Sequence, residues 1–268
     1  MTRAPATARA LLVSALSVTA LLAAAACSAD GRGTVRAAPV PPASAQAPSA
    51  TAAPAVEQPT PTPAPPELSE EQVRAALVTE ADLGAPWVPT RGAATWRDGV
   101  LKADAEHADC RWLLDVLYTE ELFGEPTGPR AVVALDDSSD DTQLRYQVSA
   151  HPPADVDRVL DRLGTLPRTC ERFTATARAG AQDVRVEELP LSEAGDARAA
   201  LRVTLTGEAA DGEPMRLTVD VAAVRVGENT ITLTNGGFGA VLSEVTLGVT
   251  RFGAERLSEI GRQARARV

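Results

Sequence analysis

Cys27 closes the apolar run Leu21-Leu22-Ala23-Ala24-Ala25-Ala26, and its thiol is placed for acylation. A cysteine there becomes a thioether to diacylglycerol, the peptide ahead of it is cut off, and the chain hangs from the outer face of a membrane by its new first residue. The other two cysteines, Cys110 and Cys170, form an even pair within one domain. In an oxidising compartment such a pair is most simply a disulfide. Closing a loop of about 60 residues would restrict the unfolded chain by roughly 4 kcal/mol. The competing chemistry is metal binding: His107 and Cys110 stand three apart and, with His151 and Cys170, make up a Cys₂His₂ set. Only one half of that set has the close spacing of a zinc site, so no metal is expected and both histidines read as exposed loop residues.

Other reactive-looking clusters are less specific. Asp136, Asp137, Asp140 and Asp141 lack the glycine and terminal glutamate of a calcium loop and read as a solvated hairpin turn. The pairs Glu120-Glu121 and Glu187-Glu188 offer carboxylates for glycosidase chemistry, but nothing in either pair separates an acid from a base. Gly236-Gly237-Phe238-Gly239 suits a backbone that approaches a ligand closely, or simply a strand that turns. The chain has no Gly-x-Ser-x-Gly elbow, no His-Glu-x-x-His and no Walker phosphate loop. Neither catalysis nor a cofactor is expected.

The segments around these residues divide the chain in three. Residues 1–26 have the layout of a lipoprotein signal peptide: Arg3 and Arg9 ahead of an apolar stretch from Ala10 to Leu22, then the small residues Ala24 to Ala26. Ser14, Ser17 and Thr19 dilute that stretch, which barely reaches the roughly 20 residues a membrane span needs. Ala24 occupies a lipobox position where leucine is commoner; ordinary secretion with cleavage nearby is the alternative. Residues 27–67 carry the lipidated cysteine and a tether of Ala, Pro, Ser, Thr and Gln, as in Pro59-Thr60-Pro61-Thr62-Pro63, which cannot bury enough surface to offset its ordering entropy. Extended as polyproline II it would reach on the order of 100 Å. Residues 68–268 are long enough for one domain with its own core.

The formal net charge is -10 and falls mainly on that domain, since Arg3, Arg9, Arg32 and Arg36 precede it against Asp30, Glu57 and Glu67. An acidic surface repels phosphate backbones and anionic headgroups, so nucleic acid is excluded as a partner, while cationic, neutral and apolar ligands stay open. Lys102 is the only lysine, and alanine is abundant, as in coding by GC-rich bacterial genomes.

Within 68–268, Ser69-Glu70-Glu71-Gln72 is a capping box for a helix bearing Val73, Ala76 and Leu77. A second short helix starts at Thr79 and stops at Gly84; Asp109 caps a third with Trp112, Leu113, Val116 and Leu117 on one face. Val132 and Ala134, then Leu144, Tyr146 and Val148, alternate as the strands of a hairpin. Pro152-Pro153 opens a helix with Val156, Val159, Leu160 and Leu163, closed by Gly164. Strands are expected at Arg172 to Ala177, Val184 to Leu189, Ala199 to Thr206, Met215 to Val226 and Thr230 to Thr234, the last two joined at Gly227-Glu228-Asn229. A terminal helix runs from about Arg251 with Phe252, Leu257, Ile260 and Ala264 inward. Helices around hairpins, without strand-helix alternation, predict an α+β fold with a mainly antiparallel sheet in a single domain.

Taken together, Thr79-Glu80-Ala81-Asp82-Leu83, the cysteines Cys110 and Cys170, Leu201-Arg202-Val203-Thr204-Leu205 and Val224-Arg225-Val226-Gly227-Glu228-Asn229-Thr230-Ile231 resemble the extracytoplasmic sensor domain of actinobacterial receptor serine/threonine kinases of the PknH type. The resemblance implies an α+β domain with a cleft for a small ligand and no catalytic residues. It also implies the Cys110–Cys170 pairing, although domains of that type have two disulfides and this chain has material for one. The expected function is that of a membrane-anchored extracytoplasmic lipoprotein with a ligand-binding or sensory domain, its partners being the membrane, through the lipid anchor, and a small ligand or envelope protein. A lipid or glycolipid carrier and a cell-wall hydrolase are the alternatives.

Overall fold

The computed structural model describes residues 67–94, 96–178, 180–209 and 212–267; Cys27, the segment 1–26 and the tether up to residue 66 lie outside the described residues. Five α-helices and one π-helical turn (Arg97–Leu101) accompany the strands among them: α1 (Glu70–Ala75), α2 (Glu80–Leu83), α3 (Ala108–Thr119), α4 (Pro153–Thr169) and α5 (Ser243–Ala266). The strands are β1 (Trp87–Pro89), β2 (Ala103–Ala105), β3 (Arg130–Asp137), β4 (Gln143–Ala150), β5 (Arg172–Ala177), β6 (Gly180–Glu188), β7 (Ala197–Glu208), β8 (Pro214–Val226) and β9 (Asn229–Phe238). They form one nine-stranded sheet in the order β1-β3-β4-β9-β8-β7-β6-β5-β2. Every pairing is antiparallel, so the fold is α+β as the sequence predicts. No helix among the described residues is long and apolar enough to cross a membrane.

Successive strand residues point to opposite faces, and both faces of the central strands are covered. On one, α3 and α4 lay Leu113, Leu114, Leu117, Leu160, Leu163 and Leu166 over β6, β7 and β8, where Val184, Val203, Leu205, Leu217, Val219 and Val221 are buried. On the other, α1 and α5 cover Leu144, Tyr146, Val148, Ile231 and Leu233 of β4 and β9. With few aromatics the interior is aliphatic, each fully buried leucine or valine contributing about 1.5–3 kcal/mol.

Local signals explain most starts and stops. Ser69 and Gln72 bond reciprocally at the start of α1, as do Thr79 and Asp82 at α2, which ends at Gly84 with φ 72°. Gly227, φ 62°, and Glu228 close the β8–β9 hairpin, with Val226 opposite Asn229. Asp137 and Asp140 spend their carboxylates on the β3–β4 turn, accepting from the amides of Ser139 and Thr142.

Several expectations are corrected. His107, not Asp109, caps α3, its Nδ1 accepting from the Asp109 amide at 3.3 Å. Asp109 instead pairs with Arg162 of α4 at 2.7 Å. α4 continues past Gly164 and carries Pro167 inside it, because Leu163 and Leu166 prolong the buried stripe and that packing outweighs two poor helix formers. α5 starts at Ser243, two turns before Arg251: the buried Thr246, Val249 and Thr250 belong to its inner face, but β-branched residues disguised the helix. Phe252 is 40 % exposed and carries the Arg256 guanidinium over its ring, instead of pointing inward. In β3 the residues packed on α1 are Ala131 and Leu135, while Val132 is exposed.

Candidate functional site

At the β3–β4–β9 end, the face that carries α3 and α4 elsewhere turns polar. Arg145, Gln147 and Ser149 of β4 alternate with the apolar residues of the opposite face, and register places them beside Thr234, Thr232 and Thr230 of β9. Segment 120–129, between α3 and β3, runs over this strip. Thr127 donates its amide to the Ala150 carbonyl at 3.0 Å, and the Phe123 ring lies 5.5 Å from that of His151.

A hydrogen-bonded string threads the strip. His151 Nε2 and Ser149 Oγ are 3.0 Å apart; Gln147 Nε2 donates to Ser149 Oγ at 3.4 Å; Arg130 and Arg145 both donate to Gln147 Oε1, at 2.9 and 3.3 Å. At its far end Arg145 Nε lies 2.7 Å from Glu120 Oε2, which also takes Arg97 Nη1 at 2.6 Å. Burial pushes Arg145 below the usual guanidinium range, with Glu120 acting in the opposite sense and Arg130 and Arg97 reinforcing the fall. Burial, then the charge of Arg130, pushes His151 below the ordinary imidazole value, against a smaller pull from Asp155.

A serine hydroxyl bonded to a histidine is the geometry of an activated nucleophile. Here it is not one. Ser149 has 0 % exposure and shares its oxygen with Thr230 and Gln147, so no carbonyl substrate reaches it.

Beyond His151 the string meets open space. A cleft of about 600 Å³ lies between the start of α4, the Gly227-Glu228 turn and the second half of α5. Leu68, Pro152, Val226 and Leu257 supply apolar surface, His151 and Asn229 polar groups, and Arg262 and Arg265 positive charge opposed by Glu67, Asp196 and Glu228. That volume and that mixture suit a small organic ligand.

No family model matches the chain, and no curated protein does. A solved structure does. The extracellular domain of PknH from Mycobacterium tuberculosis is similar over 75 % of this chain and 100 % of that one, with a TM-score of 0.47 and 12 % identity.

The residues singled out in the sequence are distributed unevenly. Cys110 and Cys170 are joined by a disulfide, S–S 2.06 Å, tying the first turn of α3 to the end of α4. His107 lies with them, all three donor atoms within 4.8 Å, but both sulfurs are engaged with each other. His151 belongs to the polar string instead, and it is buried, which corrects its reading as an exposed loop residue. Glu120 is neutralised by two arginines, and Glu187 pairs with Arg185 at 2.9 Å. The glycine cluster does permit a close approach, but of Trp96 to Gly236 and of Thr142 to Gly237. Sequence reasoning missed Arg97, Arg130, Arg145, Gln147 and Thr232. The available signal was polar residues at alternate positions of β4 and β9, set in strands whose other face carries Leu144, Tyr146, Val148, Ile231 and Leu233.

Proposed function

We propose that the chain is an extracytoplasmic lipoprotein, anchored through acylated Cys27, whose noncatalytic domain binds a small ligand in the cleft beside His151 and serves as a sensor. The observation that carries the binding reading is the cleft of about 600 Å³, with partly apolar walls and His151 at its inner edge. Support for the location comes from the apolar run ending at Cys27 and from the Cys110–Cys170 disulfide, a bond that persists in oxidising compartments. The signalling partner would be a separate envelope protein.

Two measurements test this. Cys27→Ser should move the protein from the membrane to the soluble fraction; retention on the membrane would remove the anchor. For the cleft, a thermal-shift screen against wall fragments and lipids should find a compound that raises the melting temperature of the native protein, since binding to the folded state alone at about 100 times Kd adds roughly 2.7 kcal/mol. Gly261→Trp, placing an indole in the cleft that Gly261 lines, should abolish the shift. A shift that survives this substitution places the ligand elsewhere. Stoichiometric lipid in an organic extract would turn the reading to a carrier, and turnover of wall fragments to a hydrolase.

A further inference from the structure

Glu120 holds an unfavourable position by three separate criteria. Its φ is 59°, the left-handed region, costing a non-glycine residue about 1 kcal/mol or more. It follows the last turn of α3, where unsatisfied carbonyls disfavour a negative charge. Its carboxylate is mostly withdrawn from water, 15 % exposed, and held through one oxygen by Arg97 and Arg145. Two arginines on one carboxylate leave the cluster a net positive charge.

Next to this carboxylate lies a void of about 10 Å³, room for one water, between α3, α4 and the centre of the sheet. Leu113, Val116, Leu117 and Leu163 form its apolar wall, and Thr232 reaches it from β9. The Thr232 side chain is within a residue that is only 6 % exposed, and its Oγ1 has no hydrogen-bond partner. A buried hydroxyl left without a partner costs about 1–3 kcal/mol. A cationic pair, an orphan hydroxyl and an aliphatic wall thus converge on one point, occupied from the side by a strained carboxylate.

We propose that this is a binding site for a short aliphatic carboxylate, with Glu120 as its internal stand-in. The ligand's headgroup takes the place of the Glu120 carboxylate between Arg97 and Arg145, and Thr232 Oγ1 donates to it. Its chain occupies the void together with the volume that the Glu120 side chain vacates. Displacement releases the left-handed backbone and removes a negative charge from the helix end. A carboxylate fits better than a phosphate, because the leucine wall leaves the second negative charge of a phosphate without a partner. The net acidity of the chain argues against anionic ligands at long range, but inside the site the three arginines Arg97, Arg130 and Arg145 outnumber Glu120 and Glu121, the latter 4.0 Å from Arg130. The inference concerns a site under segment 120–129 and does not depend on the cleft beside His151.

The test uses the full chain carrying Cys27→Ser, with sodium propionate as probe, whose two-carbon chain matches the space of one water and one methylene, 1-propanol as the neutral control and sodium chloride matching ionic strength. Calorimetry should show saturable one-to-one binding of propionate and none of propanol. Glu120→Gln, which removes the competing charge, should lower the melting temperature, and propionate should restore it with affinity raised about tenfold. Arg145→Gln should abolish binding. Because that variant risks misfolding, Thr232→Val provides the independent check: it loses only the orphan hydroxyl, should be at least as stable as the parent, and should bind several-fold more weakly. Failure of both parent and Glu120→Gln to bind propionate, equal binding of propanol, or an affinity indifferent to Glu120→Gln would overturn the proposal.

Discussion

Gly253 of α5 lies directly over the phenol of Tyr146 in β4: a β-carbon built on the glycine would stand 2.2 Å from Tyr146 Oη and 2.9 Å from two ring carbons. The hydroxyl is buried without a partner, and burial pushes its ionisation far above the ordinary tyrosine range. The contact sets how closely α5 approaches the sheet, and therefore where the far half of that helix, including Leu257 and Arg262, meets the cleft.

Gly253→Ala should destabilise the fold by about 1–3 kcal/mol, an overpacking cost, although alanine is the better helix former. Tyr146→Phe should be neutral or stabilising by up to about 1 kcal/mol, because it removes an orphan hydroxyl. The double variant should recover part of the loss from Gly253→Ala. Urea unfolding of the four proteins checks this, and an additive pair would show that helix and ring are not coupled.

Reduction or Cys110→Ser should cost roughly 4 kcal/mol for the loop of 60 residues that the disulfide closes. The urea midpoint with and without reductant measures it. A midpoint indifferent to reductant would mean that the bond adds nothing to the packing of α3 on α4.

Asp220 has no exposed surface and accepts both bonds of the Arg202 fork, at 2.7 and 3.0 Å, together with the Thr246 hydroxyl at 3.0 Å. Arg202→Met leaves that charge buried and unpaired and should cost about 3–5 kcal/mol. Arg202→Met with Asp220→Leu should recover most of it, because two apolar side chains replace an ion pair that was expensive to desolvate. The same Arg202 donates to the Val241 carbonyl, so protection of the start of α5 from hydrogen exchange should fall in the single variant.

Stability should decline in two steps on acidification. Folding depresses His151 below its ordinary value of 6.5, so the unfolded imidazole takes up a proton that the folded one refuses, and stability falls as pH drops below 6.5. The bonds from Arg256, with a smaller share from Thr79, lower Asp82 from 3.8 to about 2. The stabilisation from that pair is therefore complete above 3.8 and is lost as pH falls toward 2. His151→Gln should remove the first step and Asp82→Asn the second, read as urea midpoints against pH.

Fold class, the hairpin at Gly227, the capping box at Ser69, the helix start at Thr79 and the Cys110–Cys170 pairing were legible because each depends on neighbours in sequence or on simple counting. The limits of α4 and α5 were not, because their extra turns are held by contacts of Leu166, Thr246 and Val249 with a sheet made of distant segments. His151 was misread for the same reason: nothing adjacent to it in the chain shows that Phe123 and Ser149 will enclose it.

The chain alone determined that Cys27 follows an apolar run, that the interior is aliphatic and that the sheet is antiparallel, since periodicity and residue type suffice for these. Only the tertiary structure decided that Arg97, Glu120, Arg145 and Thr232 share one site. They come from a π-helical turn, a helix end and two strands, and their meeting depends on β4 pairing with β9 across more than eighty residues and on segment 120–129 folding back over both. Long-range register, not local propensity, brings like charges together around one carboxylate and buries a hydroxyl beside them.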